Sequence, residues 1–225
     1  MSLVLAADYR VPDFDRWWAV LSRDLPRLPS LGAHHVVVYR ALDDASRIFV
    51  TIGFRDRRPV DVLLRSPGMF SWFDAAGVEE IPPMFAGEVV EKFNIGSQSG
   101  SAGPAAAAET VIVAAIAPVG QLDRLRDRVH TAADRFAASG VRRFWIYRAL
   151  DDQGEVMVLQ EVATERQAEE WIHHPDDAAA FMSEAGEGPY PPLFVGRLVQ
   201  AIEVPQDSAA SGGDETLIPP EPPRG

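Results

Sequence analysis

The chain has 225 residues, 47% of them hydrophobic, and no cysteine, which is typical of a soluble globular protein with one or two cores. The absence of cysteine excludes disulfides, thiolate nucleophiles and cysteine-ligated metals, and the formal net charge of −12 disfavours nucleic acids and anionic membranes as partners. The longest apolar run, Val111 to Val119, is too short to span a bilayer, and the N-terminus lacks the features of a signal peptide, so we expect a cytoplasmic protein.

One segment of the sequence occurs twice. Residues 39–44 read Tyr-Arg-Ala-Leu-Asp-Asp, and residues 147–152 repeat them letter for letter. At the same displacement residues 3–7 match residues 111–115, and after one extra residue in the second copy the matching continues to Gly196. The period is too long for a solenoid repeat and indicates two tandem domains. We predict domains at 1–96 and 110–204, a flexible linker at 97–109 and a disordered, acidic, Pro-rich tail at 205–225.

The first copy predicts six elements. An apolar run of strand length precedes a candidate N-cap, Asp13, and apolar residues at helical spacing. Two strand-like runs joined by a turn follow, and then a helix that is broken near Pro67 and a last strand. In order, these are a strand at Leu3–Tyr9, a helix from Asp13 to Leu28, strands at His34–Arg40 and Arg47–Arg55, a helix from about Val60 to Ala76 and a strand at Glu88–Phe93.

The second copy repeats this order, with helices near Gln121–Ser139 and Glu165–Ala185. The order βαββαβ is the ferredoxin-like arrangement. Together with the hairpin that leads into Val156–Val162 and the pattern of Trp171–Asp177, it resembles the dimeric α+β barrel superfamily, closest to the antibiotic-biosynthesis-monooxygenase-like group. The resemblance covers nearly all of residues 3–95 and 111–204.

Members of this superfamily pair two chains, sheet against sheet, into a barrel. The resemblance therefore implies an α+β fold in which two tandem ferredoxin-like domains form the barrel within one chain, a monomer with an internal pseudo-dimer. In such a barrel each strand has one face toward its helices and one toward the interior. On the third strand we expect Ile48, Val50, Ile52 and Phe54 to face the helices.

The opposite face of that strand is where we expect room for a ligand. It carries Phe49, Thr51 and Gly53 in the first copy, and Met157, Leu159 and Glu161 in the second. The resembling monooxygenase-like sequences often have glutamate at this point, so the resemblance makes Glu161 the candidate catalytic base or orienting carboxylate. The alternative for Glu161 is an ion pair with an arginine at the rim of the barrel.

Aromatic residues supply the other site candidates. Side chains on an interior strand face can stack on a planar ligand and bind its hydroxyls, whereas Trp17 and Trp72 match Leu125 and Phe181 and are predicted to pack helices on sheets. The predicted substrate-binding residues are Tyr39, Tyr147, Trp145, His35 and Thr51.

Several functions stay open. The resemblance implies a cofactor-independent monooxygenase, cyclase or isomerase that binds a small hydrophobic or aromatic ligand, with an aromatic or polyketide-like substrate. The first alternative is a non-catalytic binding or assembly protein. The second is a haem-binding protein, because one branch of the superfamily uses a helix histidine as iron ligand, here His173 or His174. The histidines have no spacing typical of a metal site, so we expect neither metal nor cofactor.

Overall fold

A computed structural model describes residues 2–95, 110–173 and 193–204, with the side chains of residues 171–173 excepted. The predicted linker 97–109, the tail 205–225 and the end of the second copy's last helix lie outside the described residues. In the described part no helix has the length and apolar character of a membrane span. The elements are β1 (Leu3–Arg10), α1 (Phe14–Asp24), β2 (Ala33–Ala41), β3 (Arg47–Phe54), α2 (Arg57–Leu64), α3 (Pro67–Ala76), β4 (Met84–Asn94), β5 (Val111–Pro118), α4 (Leu122–Thr131), α5 (Ala133–Ala138), β6 (Val141–Ala149), β7 (Glu155–Val162), α6 (Glu165–His173) and β8 (Leu193–Glu203).

The eight strands form one closed antiparallel barrel in the order β1-β3-β2-β8-β5-β7-β6-β4. The first half of the chain, residues 2–95, contributes four adjacent strands, and the second half, residues 110–204, contributes the other four. The halves join where β2 pairs with β8 and where β4 pairs with β6. Because a closed barrel has no open strand edge, the pairing expected between two chains is completed within this one. The predicted α+β fold is confirmed.

Local sequence explains where the helices begin and end. The Asp13 side chain accepts a hydrogen bond of 2.9 Å from the Arg16 backbone N–H and caps α1, as predicted. The helix was predicted to continue to Leu28, but α1 ends at Asp24. Beyond it the chain continues as two 3₁₀ turns, because Pro26 and Pro29 lack a backbone N–H. The break near Pro67 separates α2 from α3.

Strand β4 begins at Met84, earlier than the predicted Glu88, because residues 84–87 pair with β1. Its glycine is required by close packing. A Cβ at Gly87 would lie 2.8 Å from the Arg148 carbonyl oxygen and would also meet the Phe85 ring. Gly196 has the same relation to Phe194 and Arg40 in the second half. The repeated Phe-x-Gly pattern therefore reflects a packing constraint that both halves share.

The described residues form three apolar clusters. The interior cluster takes buried residues from all the strands and none from a helix, including Phe49, Met157 and Leu159. Two helix-side clusters pack each sheet against its own helices, and Ile48 and Val50 belong to the first of them. The predicted division of β3 into a helix-facing and an interior face is therefore what the structure shows.

Candidate functional site

A cavity of about 240 Å³ lies between the sheet of the first half and its helices α1, α2 and α3. It is on the helix-facing side of β1 and β3, opposite the face on which the sequence analysis expected room for a ligand. The interior face is instead filled by buried apolar side chains. Most of the residues that line the cavity are aliphatic or aromatic: Leu5, Ala6, Ala7, Tyr9, Trp17, Leu21, Asp24, Arg27, Leu28, Leu31, Val50, Ile52, Leu63, Ser66, Gly68, Met69, Trp72, Phe73 and Met84.

Tyr9 and Trp17 form the floor of this cavity. Tyr9 lies near the end of β1 and Trp17 on the buried face of α1, and both side chains are buried. The Trp17 Nε1–H donates a hydrogen bond of 3.1 Å to the Tyr9 hydroxyl, and the Phe73 ring packs edge-on against Tyr9. The Tyr9 hydroxyl accepts in this bond, so its own proton is oriented by the tryptophan and can be donated to a ligand oxygen.

Burial raises the pKa of Tyr9 well above its usual range, and the hydrogen bond from Trp17 offsets only part of this. The phenol therefore stays protonated at neutral pH and acts as a hydrogen-bond donor. A neutral donor on an apolar floor suits a ligand whose carbonyl or phenolate oxygen carries negative charge.

The mouth of the cavity, formed by Asp24, Arg27, Ser66 and Gly68, is polar. The side chain of Arg27 is 80% exposed, whereas that of Asp24 is 17% exposed and its carboxylate accepts two hydrogen bonds from Arg23. These bonds, with further contributions from Arg27 and Trp72, lower the pKa of Asp24. Asp24 is the only carboxylate among the described residues of the lining, and it is ionised and already paired.

The predicted catalytic residue, Glu161, lies on the interior face of β7 and is buried. Its Oε2 is 3.5 Å from Arg143 Nε on the neighbouring strand β6, and the Arg143 side chain is 42% exposed. This is the ion pair that the sequence analysis gave as the alternative for Glu161. Tyr39 is close enough that burial and the Glu161 charge together raise its pKa, and burial raises the pKa of Tyr147 to about 12.

The other predicted binding residues also lie on interior strand faces. Trp145 packs against the interior cluster, and Thr51 is buried on β3. His35 lies directly over Gly53, so closely that any side chain there would collide with the imidazole. Burial, followed by the charges of His34 and Lys92, lowers the pKa of His35. The predicted residues thus lie on interior strand faces, on the other side of the sheet from the cavity.

The two halves differ at this point of the barrel. By the repeat, His35 and Gly53 correspond to Arg143 and Glu161, and each pair consists of cross-strand neighbours next to a bulge. The first half places an imidazole over a glycine where the second half forms an ion pair. Glu161 has no counterpart in the first half, where a Cβ at Gly53 would collide with the His35 ring.

Metal and haem candidates find little support in the described residues. No group of three or more His, Asp or Glu side chains there is arranged to hold a metal ion. His173 is the last residue of α6, and nothing is described of its side chain; His174 lies outside the described residues.

The sequence matches no protein-family model and no curated protein. Solved structures with the same fold exist. An anthrone oxidase-like protein superposes with a TM-score of 0.67 at 12% identity, over 93% of this chain and 96% of that one. A mutant chlorite dismutase from Candidatus Nitrospira defluvii gives a TM-score of 0.56 at 12% identity, over 88% and 91%. A monooxygenase-like protein from Listeria innocua gives a TM-score of 0.50 at 10% identity, over 88% of this chain and 94% of that one.

The chain has the dimeric α+β barrel fold. In this α+β barrel the described residues that line the cavity all come from the first half, between Leu5 and Met84. Sequence reasoning assigned Trp17 and Trp72 to packing and did not consider Tyr9. The sequence contained a sign of the cavity, because the aromatic residues Tyr9 and Trp17 correspond to the smaller Ala117 and Leu125 in the repeat. A change of polarity and size at a core position of one copy marks the floor of the cavity.

Proposed function

We propose that the protein binds a planar aromatic or polyketide-like molecule in the cavity of the first half and promotes its reaction with O₂. The observation that carries this proposal is the apolar cavity of about 240 Å³ with one oriented hydroxyl, that of Tyr9, on its floor. A cavity of about 150 Å³ holds benzene, so this one has room for a ring system larger than a single ring. The solved anthrone oxidase-like and monooxygenase-like proteins of the same fold support the choice of reaction.

The chemistry that fits the cavity takes all its electrons from the substrate. A methylene between two aromatic rings loses both hydrogens to O₂; one oxygen atom becomes the new carbonyl oxygen and the other leaves as water. The reaction passes through a carbanion whose charge is delocalised onto a substrate oxygen. The Tyr9 O–H donates a hydrogen bond to that oxygen as its charge develops, and the apolar walls exclude bulk water.

A non-catalytic binding protein is the second candidate, and the state of Asp24 favours it. A base is needed to remove the first proton from the substrate. Asp24 is the one carboxylate among the described cavity residues, and its hydrogen bonds to Arg23 lower its pKa and make it a weak base. Glu161 as the base is the competing proposal; it requires the substrate to enter the barrel interior instead.

Anthrone tests both candidates. Binding is measured by quenching of tryptophan fluorescence, because Trp17 and Trp72 line the cavity, and turnover by oxygen uptake with formation of the quinone. We expect binding and a rate above the uncatalysed oxidation. Binding without oxygen uptake would select the non-catalytic candidate.

A cavity-filling variant locates the site. Ala7 lines the cavity, and Ala7→Leu places added methyl groups where the ligand would lie, so we expect binding and turnover to be lost while the fold remains. Ala115→Leu, the corresponding change in the second half, is the matched control and leaves both intact. Equal binding by Ala7→Leu and the wild-type protein would show that the cavity is not the site.

A further inference from the structure

A second cavity lies where the two halves of the chain meet. It has a volume of about 250 Å³ and lies beside the pairing of β4 with β6, which joins the halves. Both halves contribute to its walls, which are formed by Leu3, Arg55, Asp56, Arg57, Glu88, Arg148, Ala149, Leu150 and Gln153. We call this space the junction cavity. None of these described lining residues belongs to the cavity of the first half.

The lining of the junction cavity carries more positive than negative charge. It contains three arginines, Arg55 and Arg57 from the first half and Arg148 from the second, and two carboxylates, Asp56 and Glu88. Arg148 donates a hydrogen bond to Glu88, so these two charges largely offset each other. The chain as a whole has a net charge of −12, which makes this concentration of arginines a local exception that attracts anions.

Arg55 and Arg57 are the arginines with donors left for a ligand. Within the ranges that the structure describes, the Arg55 side chain has no hydrogen bond or ion pair. Arg57 donates to the Leu150 carbonyl oxygen across the junction at 3.4 Å, and its Nε lies 3.4 Å from Asp61. A guanidinium has five N–H groups, so most of those on Arg57 stay unused. Two guanidinium groups thus offer donors to the same space.

The beginning of α2 adds to the positive potential of the junction cavity. Asp56 is the N-cap residue, but its side chain accepts no hydrogen bond from the helix. Pro59, at the third helical position, has no N–H that Asp56 could accept. The first turn of α2 therefore keeps backbone N–H groups without a side-chain cap, and the helix dipole places partial positive charge beside the cavity.

The matching place in the second half is built differently. By the repeat, residues 55–57 correspond to residues 163–165, which read Ala-Thr-Glu. The Thr164 hydroxyl accepts a hydrogen bond of 3.2 Å from the Gln167 N–H in the first turn of α6, and Glu165 lies 3.6 Å from Arg197. The second half thus caps its helix internally and has an acid where the first half has an arginine. The barrel fold itself therefore does not require the basic lining of the junction cavity.

We propose that the junction cavity binds a small organic anion, whose carboxylate or phosphate group is held by Arg55 and Arg57 and whose apolar part lies against Leu3 and Leu150. The planar guanidinium fork matches the paired oxygens of both anionic groups. Because a cavity of about 150 Å³ holds benzene, the junction cavity has room for one ring together with its anionic group. This site is separate from the one proposed for oxidation and goes beyond that function.

Calorimetric titration with three probes of similar size tests the requirement for charge. Phenyl phosphate and benzoate carry the two candidate anionic groups, and benzyl alcohol is neutral. The titrations use the Ala7→Leu protein, so that no probe enters the cavity of the first half. We expect the anions to bind at one site per chain and benzyl alcohol to bind about tenfold more weakly or worse, the factor of one hydrogen bond to a charged group. The tighter anion identifies the group, phosphate or carboxylate, that the site prefers.

Single substitutions in the same protein locate the anion. Arg55→Gln removes a cation without a protein partner, so it should weaken the binding of both anions about tenfold and leave the melting temperature unchanged. Arg58→Gln is the matched control, because it removes the same charge from an exposed arginine of α2 that does not line the cavity, and it should leave binding nearly unchanged. Glu88→Gln removes a negative charge from the lining and releases Arg148, so it should tighten binding severalfold.

The proposal is overturned if neither anion binds the Ala7→Leu protein, or if benzyl alcohol binds as tightly as the anions. Equal weakening by Arg55→Gln and Arg58→Gln also overturns it, because a general loss of positive charge would then account for the effect. Weaker binding in Glu88→Gln contradicts it as well. The oxidation proposed for the first half is tested with anthrone in the wild-type protein and does not depend on these outcomes.

Discussion

Tyr9→Phe removes one hydroxyl from the floor of the cavity and keeps the ring. In the wild-type protein this hydroxyl accepts the 3.1 Å hydrogen bond from Trp17, whose side chain is fully buried. The variant leaves a buried indole N–H without an acceptor, which costs about 1–3 kcal/mol. For a chain of this size each kcal/mol lowers the melting temperature by about 2–4 °C. We therefore expect a fall of about 2–12 °C, although no apolar surface is lost.

A double-mutant cycle with Trp17→Phe measures the bond itself. The tryptophan substitution removes the donor, so Tyr9→Phe should be nearly neutral in that background, and the coupling free energy from urea unfolding should be about 1–3 kcal/mol. In the anthrone assay Tyr9→Phe alone should weaken binding or turnover about tenfold, the worth of one hydrogen bond. If Tyr9→Phe destabilises the protein equally in both backgrounds, the hydroxyl does not depend on Trp17 and the proposed orientation of its proton is wrong.

Four further outcomes are expected. Residues 1–95 expressed alone should aggregate or dimerise, because the interior sheet face and two strand edges lose their partners; a stable monomer in sedimentation would contradict the closed barrel. Truncation after Val204, which is buried, should leave the melting temperature nearly unchanged, since the composition of the tail offers little apolar area; a fall of many degrees would show that the tail packs on the body. Glu161→Gln should change the free energy of unfolding by about half a kcal/mol, because Arg143 is partly exposed, and should not alter oxygen uptake; lost turnover with intact binding would make Glu161 the base. Burial and neighbouring cations lower the pKa of His35, so at acid pH the unfolded chain takes up a proton that the folded chain excludes. The free energy of unfolding should therefore fall as the pH drops below about 6.5. If His35→Gln leaves the slope of this free energy against pH unaltered, His35 is not the cause.

The fold was predictable because the same order of strands and helices occurs twice in the sequence. An exact repeat fixes the domain length, and the period of two along β3 separates Phe49 from its neighbours Ile48 and Val50, which the structure places in different clusters. Strand parity also determined which side chains of a strand share a face, although the sequence did not say which face lines the barrel interior. What parity leaves open is how tightly each face is packed.

The position of the cavity was not predictable for that reason. The gap between sheet and helices depends on where α1 ends and how the 3₁₀ turns and α3 cover the sheet, and these are tertiary features without a sequence period. The pairing of Glu161 was partly predictable. An arginine partner was foreseen as the alternative, but its identity depends on the bulge between Val141 and Arg143, which brings Arg143 opposite Glu161.

The closed barrel couples the two copies more closely in its interior than on their helix-facing sides. The interior is built by both halves together. Phe49 packs against Phe194 of the other half, with ring centroids 5.2 Å apart, and the charge of Glu161 raises the pKa of Tyr39 across the same interior. A change there must be accommodated by the other copy. Most residues of each helix-side cluster come from the same half of the chain, so the difference between Tyr9 and its counterpart Ala117 is accommodated largely within each half. The duplication thus gives one shared barrel and two helix-facing sides that can vary separately.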